Sequence, residues 1–133
     1  MWPDDVPPPG GRAPGDSRAR TLEWLHGRIG DLHPELAAAI RRCVREGPDP
    51  DAGSGVAEVL ADAASAALER VAHGPQDRAA AVRLLAADAV LTYAFEAAAT
   101  EGGDPGDLAD RVGLRGTLGR ALLDAIRAEG ETP

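Results

Sequence analysis

The sequence predicts an all-α protein, and three observations carry that prediction. Residues 76–100, QDRAAAVRLLAADAVLTYAFEAAAT, contain neither glycine nor proline. Alanine, the strongest helix former, occurs 27 times, against four aromatic residues, Trp2, Trp24, Tyr93 and Phe95. No segment shows the apolar–polar alternation of a half-buried strand. The expected architecture is a compact bundle of five or six helices around a central helix at about 76–100. One α-helical domain is expected over residues 17–130, behind a disordered tail at 1–16.

The tail assignment rests on five prolines and three glycines within residues 1–16. A first helix is predicted over about 17–29, with Asp16 as N-cap, Gly30 just past its end, and Leu22, Leu25 and Ile29 as its buried stripe. Pro34 suits a first helical position and opens a second helix to about Glu46. Residues 47–55, GPDPDAGSG, read as a flexible connector. A third helix over about 55–73 is apolar at Val56, Val59, Leu60, Leu68 and Val71 and polar at Glu58, Asp62, Ser65 and Glu69. Gly74-Pro75 ends it.

In the central helix, Asp88, Thr92, Glu96 and Thr100 recur every four residues and share one stripe, while Val82, Leu85, Leu91 and Phe95 point elsewhere. A helix apolar on most sides needs enclosure by the rest of the chain or by a second copy. Beyond Gly102-Gly103, Asp104-Pro105 is an N-cap followed by a first-turn proline. The helical stretch after it carries Gly113, Gly116 and Gly119, which either divide it or flatten one face.

Composition excludes several classes of chemistry. All 14 basic residues are arginines, and lysine and asparagine are absent. Without lysine there is neither a Schiff base nor a phosphate-binding P-loop. Without asparagine there is no glycosylation sequon and no Asn-based triad. A net charge of −8 argues against indiscriminate binding to nucleic acid or anionic membranes.

Cys43 is the only cysteine, so no intrachain disulfide forms. Beside Leu36, Ile40 and Val44 it is expected to be a small buried thiol. Arg42 lies near enough to lower its pKa, but no histidine stands at helical spacing to act as its base. The N-terminus lacks the basic and apolar regions of a signal peptide, and no run approaches the ~20 apolar residues of a membrane span. A cytoplasmic location is expected.

Candidate sites are few. Asp88, Thr92 and Glu96 either line a polar pocket inside the bundle or face water, with Asp88 paired to an arginine such as Arg83, Arg120 or Arg127. Glu23 and His26 form a Glu-x-x-His, the half-motif of carboxylate-bridged di-iron helices. A complete site would need a second pair, supplied by a symmetric dimer, with Glu35 or Glu69 as further ligands. Glu69 and His73, one turn apart, read as a surface pair. Asp49, Asp51 and Gly53 begin like a calcium loop, but Leu60 occupies the position that requires a carboxylate. Ser17, Ser54 and Ser65 sit in no nucleophile elbow.

Two family resemblances accompany this reading. Residues 108–122, LADRVGLRGTLGRAL, resemble a helix-turn-helix, with Ala109 and Gly113 at the small-residue positions and Thr117 opening the recognition helix. The resemblance implies contacts from Arg115, Thr117 and Arg120 to DNA. The turn is one residue shorter than the usual pattern, and residues 104–133 hold six acidic groups against four arginines.

Residues 86–99, AADAVLTYAFEAAA, are similar to the Gly-Asp-Ala-Leu-Leu-x-x-Ala-Phe-Glu helix of trans-isoprenyl diphosphate synthases. Gly113, Gly116, Gly119 and Asp124 follow in the order of that family's Gly-x-x-Gly-Met-x-x-Gly-Gln-x-x-x-Asp segment. Ala87 and Ala121 replace the family's glycine and glutamine. No aspartate-rich motif stands on any predicted helix, so the likeness implies at most a degenerate isoprenyl-diphosphate-binding bundle without prenyl transfer.

No complete catalytic set can be assembled from these residues. The expected function is therefore that of a small acidic, non-enzymatic interaction or oligomerisation module, without cofactor, whose partner is another protein or a second copy of itself. The alternatives are a helix-turn-helix regulator, a degenerate isoprenyl-diphosphate-binding bundle and a dimeric metal-binding bundle.

Overall fold

The computed structural model describes residues 14–113 and Arg127 of the 133-residue chain. The protein is a compact all-α bundle. Its described helices are α1 (Pro14–Ile29), α2 (Pro34–Arg45), α3 (Val56–His73), α4 (Arg78–Thr100) and α5 (Pro105–Arg111).

Local chemistry accounts for most of the boundaries. α2 starts at Pro34, and the His33 ring nitrogen Nδ1 accepts the Glu35 amide at 3.2 Å. At α4, the Asp77 carboxylate caps the Ala80 amide at 2.8 Å; at α5, the Asp104 carboxylate caps the Gly106 amide at 2.8 Å. α4 ends in a Schellman motif. Gly102 takes φ +78°, and the Gly103 amide donates back to the Ala98 carbonyl at 2.7 Å. Gly113 repeats the left-handed turn after α5 with φ +74°.

One boundary differs from expectation. α1 begins at Pro14, so residues 14–16 are helical rather than part of the tail, and Asp16 lies in the first turn instead of capping it. A proline costs a helix nothing in its first turn, and an aspartate there still meets the positive end of the dipole. Residues 1–13, the rest of the expected tail, lie outside the described residues.

The connector between α2 and α3 is pinned rather than loose. Arg18 Nη2 donates to the carbonyls of Gly47 and Pro48 at 3.1 and 3.2 Å and to Asp49 Oδ1 at 3.2 Å. Pro50 and Ser54 are buried. Gly47 lies so close to α3 that a Cβ placed on it would come within 3.0 Å of Ala63 Cβ.

The core is built mainly from alanine. α3 buries Ala57, Ala61, Ala63, Ala64 and Ala67 together with Val59 and Leu60, and it touches all four other helices. Its most extensive interface is with α4, whose buried residues are all alanines except Val90. Small side chains on both surfaces let the helices pack at close range. Leu25 and Ile29 of α1 and Ile40 and Val44 of α2 complete the core.

α1 makes no backbone contact with α4, and side chains join the two instead. Trp24 meets Tyr93 edge to face at 6.3 Å, and Arg28 stacks on Trp24 at 3.6 Å while its Nε donates to Glu96 Oε1 at 3.1 Å.

The enclosure expected of α4 is incomplete. Leu91 and Phe95 are half-buried, but Leu84 and Leu85 are 47% and 60% exposed. The reason is geometric. α3 and α2 cover the alanine side of α4, whose short side chains permit the closest approach, and the bulkier leucines are left on the opposite side.

Candidate functional site

At 100° per residue, positions four apart on α4 drift slowly around one side of the helix. Asp88, Thr92, Glu96 and Thr100 are all exposed along that side. They line no pocket among the described residues. Thr92 and Thr100 return their hydroxyls to the carbonyls of Asp88 and Glu96 at 3.0 and 2.9 Å, and Glu96 is held by Arg28. The Asp88 carboxylate pairs with neither Arg83 nor Arg127, and Arg120 lies outside the described residues.

Continuing the same spacing one step toward the N-terminus of α4 reaches Leu84, with Leu85 beside it. The outward side of α4 is thus polar over its C-terminal half and apolar at its first turns, with Ala81 also exposed. Leu84 and Leu85 are the exposed large hydrophobic residues among those described. The sequence reading turned Leu85 inward and singled out no role for Leu84. The signal was available in the four-residue spacing, since Leu84 stands where the polar series would predict another hydrophilic residue.

The other sequence-derived candidates are dispersed. Glu23 and His26 are exposed on α1. Glu35, a suggested further ligand, forms an ion pair with Arg78 at 3.1 Å, and Glu69 is exposed on α3. No cluster of three or more His, Cys, Asp or Glu side chains suited to a metal ion occurs among the described residues. Of the helix-turn-helix segment, residues 108–113 belong to α5 and its cap; Arg115, Thr117 and Arg120 lie outside the described residues. Residues 86–99, which carry the isoprenyl-synthase likeness, fall within α4, whereas Gly116, Gly119 and Asp124 are not described.

Cys43 is buried as expected, with Sγ 3.6 Å from the Ala63 carbonyl. Burial pushes its pKa up to about 11, against an opposing pull from the Arg70 guanidinium. The cation that acts on the thiol is therefore Arg70 of α3 and not Arg42, and desolvation, aided by the Glu46 carboxylate, outweighs it. A thiol held neutral in this way does not act as a nucleophile near neutral pH.

Fold and surface together define a small acidic helical bundle with one exposed leucine ridge, and no described helix is long and apolar enough to cross a membrane. No protein-family model, curated protein or solved structure matches the chain.

Proposed function

We propose that this chain is a non-enzymatic helical interaction module that pairs with a second copy of itself through the outward side of α4. The observation that carries the reading is the exposure of Leu84 and Leu85 side by side on that helix. At 47% and 60% exposure, the two leucines forgo roughly half of the about 1.5–3 kcal/mol that full burial of each would give, which a helix laid against them would recover.

Charge favours a second copy as the occupant. In an antiparallel twofold pairing centred between Leu84 and Leu85, Asp88 of one chain falls opposite Ala81 of the other. It then lies within one helical turn of Arg78 of the second copy. Asp88 has no ion-pair partner among the described residues, and the Arg78 side chain is 74% exposed beyond its pair with Glu35. The carboxylate left idle in one chain thus meets an accessible guanidinium in the other.

Analytical ultracentrifugation at about 100 μM tests the reading, since a dimer weaker than that would give the ridge no role in solution. The expected result is a dimer that Leu84→Glu or Leu85→Glu converts to a monomer with unchanged helicity. Asp88→Arg should weaken the dimer, and Asp88→Arg combined with Arg78→Asp should restore it. A monomeric wild-type protein at that concentration overturns the proposal.

A further inference from the structure

Three helices bring arginines to one small cavity on a different side of the bundle. Arg42 from α2, Arg70 from α3 and Arg83 from α4 line a space of about 50 Å³, accompanied by a single carboxylate, Glu46. Arg70 is already engaged. It donates to the Glu46 carbonyl at 2.7 Å, and its Nη1 lies 3.7 Å from the Glu46 carboxylate. The guanidinium groups of Arg42 and Arg83 have no hydrogen bond or ion pair with any described residue.

In a chain of net charge −8, three guanidinium groups gathered beside one carboxylate, two of them without a counter-charge among the described residues, make a local positive patch that an anion would neutralise. Helix dipoles explain part of the arrangement, because Arg42 and Arg70 belong to the last turns of α2 and α3. They do not explain Arg83, which stands in the N-terminal half of α4, where the dipole disfavours a cation. The remaining wall is apolar, with Val82 and the neutral Cys43 thiol among its residues.

We propose that this cavity binds the oxyanion head of a small organic anion, a phosphate monoester or carboxylate, between Arg42 and Arg83. By volume the space accommodates about four water-sized oxygens, the size of such a head. Planar guanidinium forks are suited to phosphate and carboxylate, which they bind through paired N–H donors. Arg42 and Val82 also border an adjoining trough of about 360 Å³ between α2 and α4, where Ala38 and Ala79 offer an apolar bed. A short hydrocarbon substituent on the anion lies there. The cavity itself does not involve Leu84, Leu85, Asp88 or Arg78, although Arg78 and Glu35 also border the trough; titration of the Leu84→Glu variant separates the site from self-pairing.

Titration with hexyl phosphate, hexanoate and hexanol, followed by methyl NMR and calorimetry, tests the site. Hexyl phosphate, hexanoate or both should bind at about 10 mM or below, with shifts centred on the methyls of Val82 and Ala86, and hexanol should not. Whichever anion binds more tightly identifies the head group. Arg42→Gln and Arg83→Gln should each weaken binding by about fivefold, the loss expected of one partly exposed charge contact. Both arginines are exposed and their side chains have no partner among the described residues, so these variants keep the fold, and circular dichroism checks this. Arg45→Gln, in the same turn of α2 but outside the cavity, should leave affinity unchanged. Failure of both anions to bind, equal binding of hexanol, or an equal effect of Arg45→Gln overturns the proposal.

Discussion

Burial and charge act in opposite senses on Cys43, and their balance sets a measurable pH dependence. Its pKa in the folded protein is raised from an ordinary 9.0 to about 11, with burial as the larger cause and Arg70 opposing it. The unfolded chain therefore releases this proton first. The stability that the neutral buried thiol contributes is complete below pH 9.0 and is lost as pH rises toward about 11. Urea denaturation of wild type and Cys43→Ala across that window should show wild type losing stability relative to the variant. Alkylation of the native protein at pH 8 should be slow and should track unfolding. Rapid modification of the folded protein at that pH would mean that the thiol is neither buried nor neutral.

Single elements show how little area holds parts of this bundle in place. α5 buries only Leu108 and the adjoining Val112 of its cap. What orients it is Arg111, whose Nε and Nη2 donate to the two carboxylate oxygens of Asp62 at 3.0 and 2.8 Å while Nη1 approaches Glu58 at 3.5 Å. The hydrogen bonds that Arg111 donates to the Asp62 carboxylate are the main reason its pKa is raised. Both side chains remain partly in water, so Arg111→Ala should cost only about 1 kcal/mol globally. The Leu108 and Val112 amides should nevertheless exchange markedly faster, because local opening of α5 needs little more than release of this fork. Exchange unchanged at those two amides would show that apolar contact alone seats the helix. At the end of α4, Gly102→Ala should lower stability by about 1 kcal/mol, the penalty for a side chain at φ +78°.

For the whole molecule, the hub is α3, and its alanines set how closely its neighbours approach. Ala64 is fully buried where α3 packs against the bundle. Ala64→Leu should force the surrounding helices apart and cost about 1–3 kcal/mol in chemical denaturation, even though it adds apolar volume. Much of this architecture was legible in the chain. Pro34, Asp77, Gly74-Pro75, Gly102-Gly103 and Asp104-Pro105 act on their own backbone neighbours, so helix ends fell within a few residues of expectation. The start of α1 was missed because Pro14 reads equally well as tail or as first helical turn. The sidedness of α4 was legible only through the four-residue spacing that places Leu84 in the polar series; the hydrophobic pattern points the other way, because it weights leucine over alanine while close packing between helices favours the reverse.

The sequence alone determined an all-α chain, the number and order of its described helices, a buried unreactive cysteine and the absence of lysine chemistry. These follow from composition and from interactions between residues a few positions apart. Only the tertiary structure decided that α3 and not α4 packs its backbone closely against every other described helix, and that Leu84 and Leu85 face outward. It alone brought Arg42, Arg70 and Arg83 to one cavity from three helices. The physical reason is common to all three. Each depends on which surfaces approach most closely across the bundle, and closeness is set by pairs of small side chains far apart in the chain.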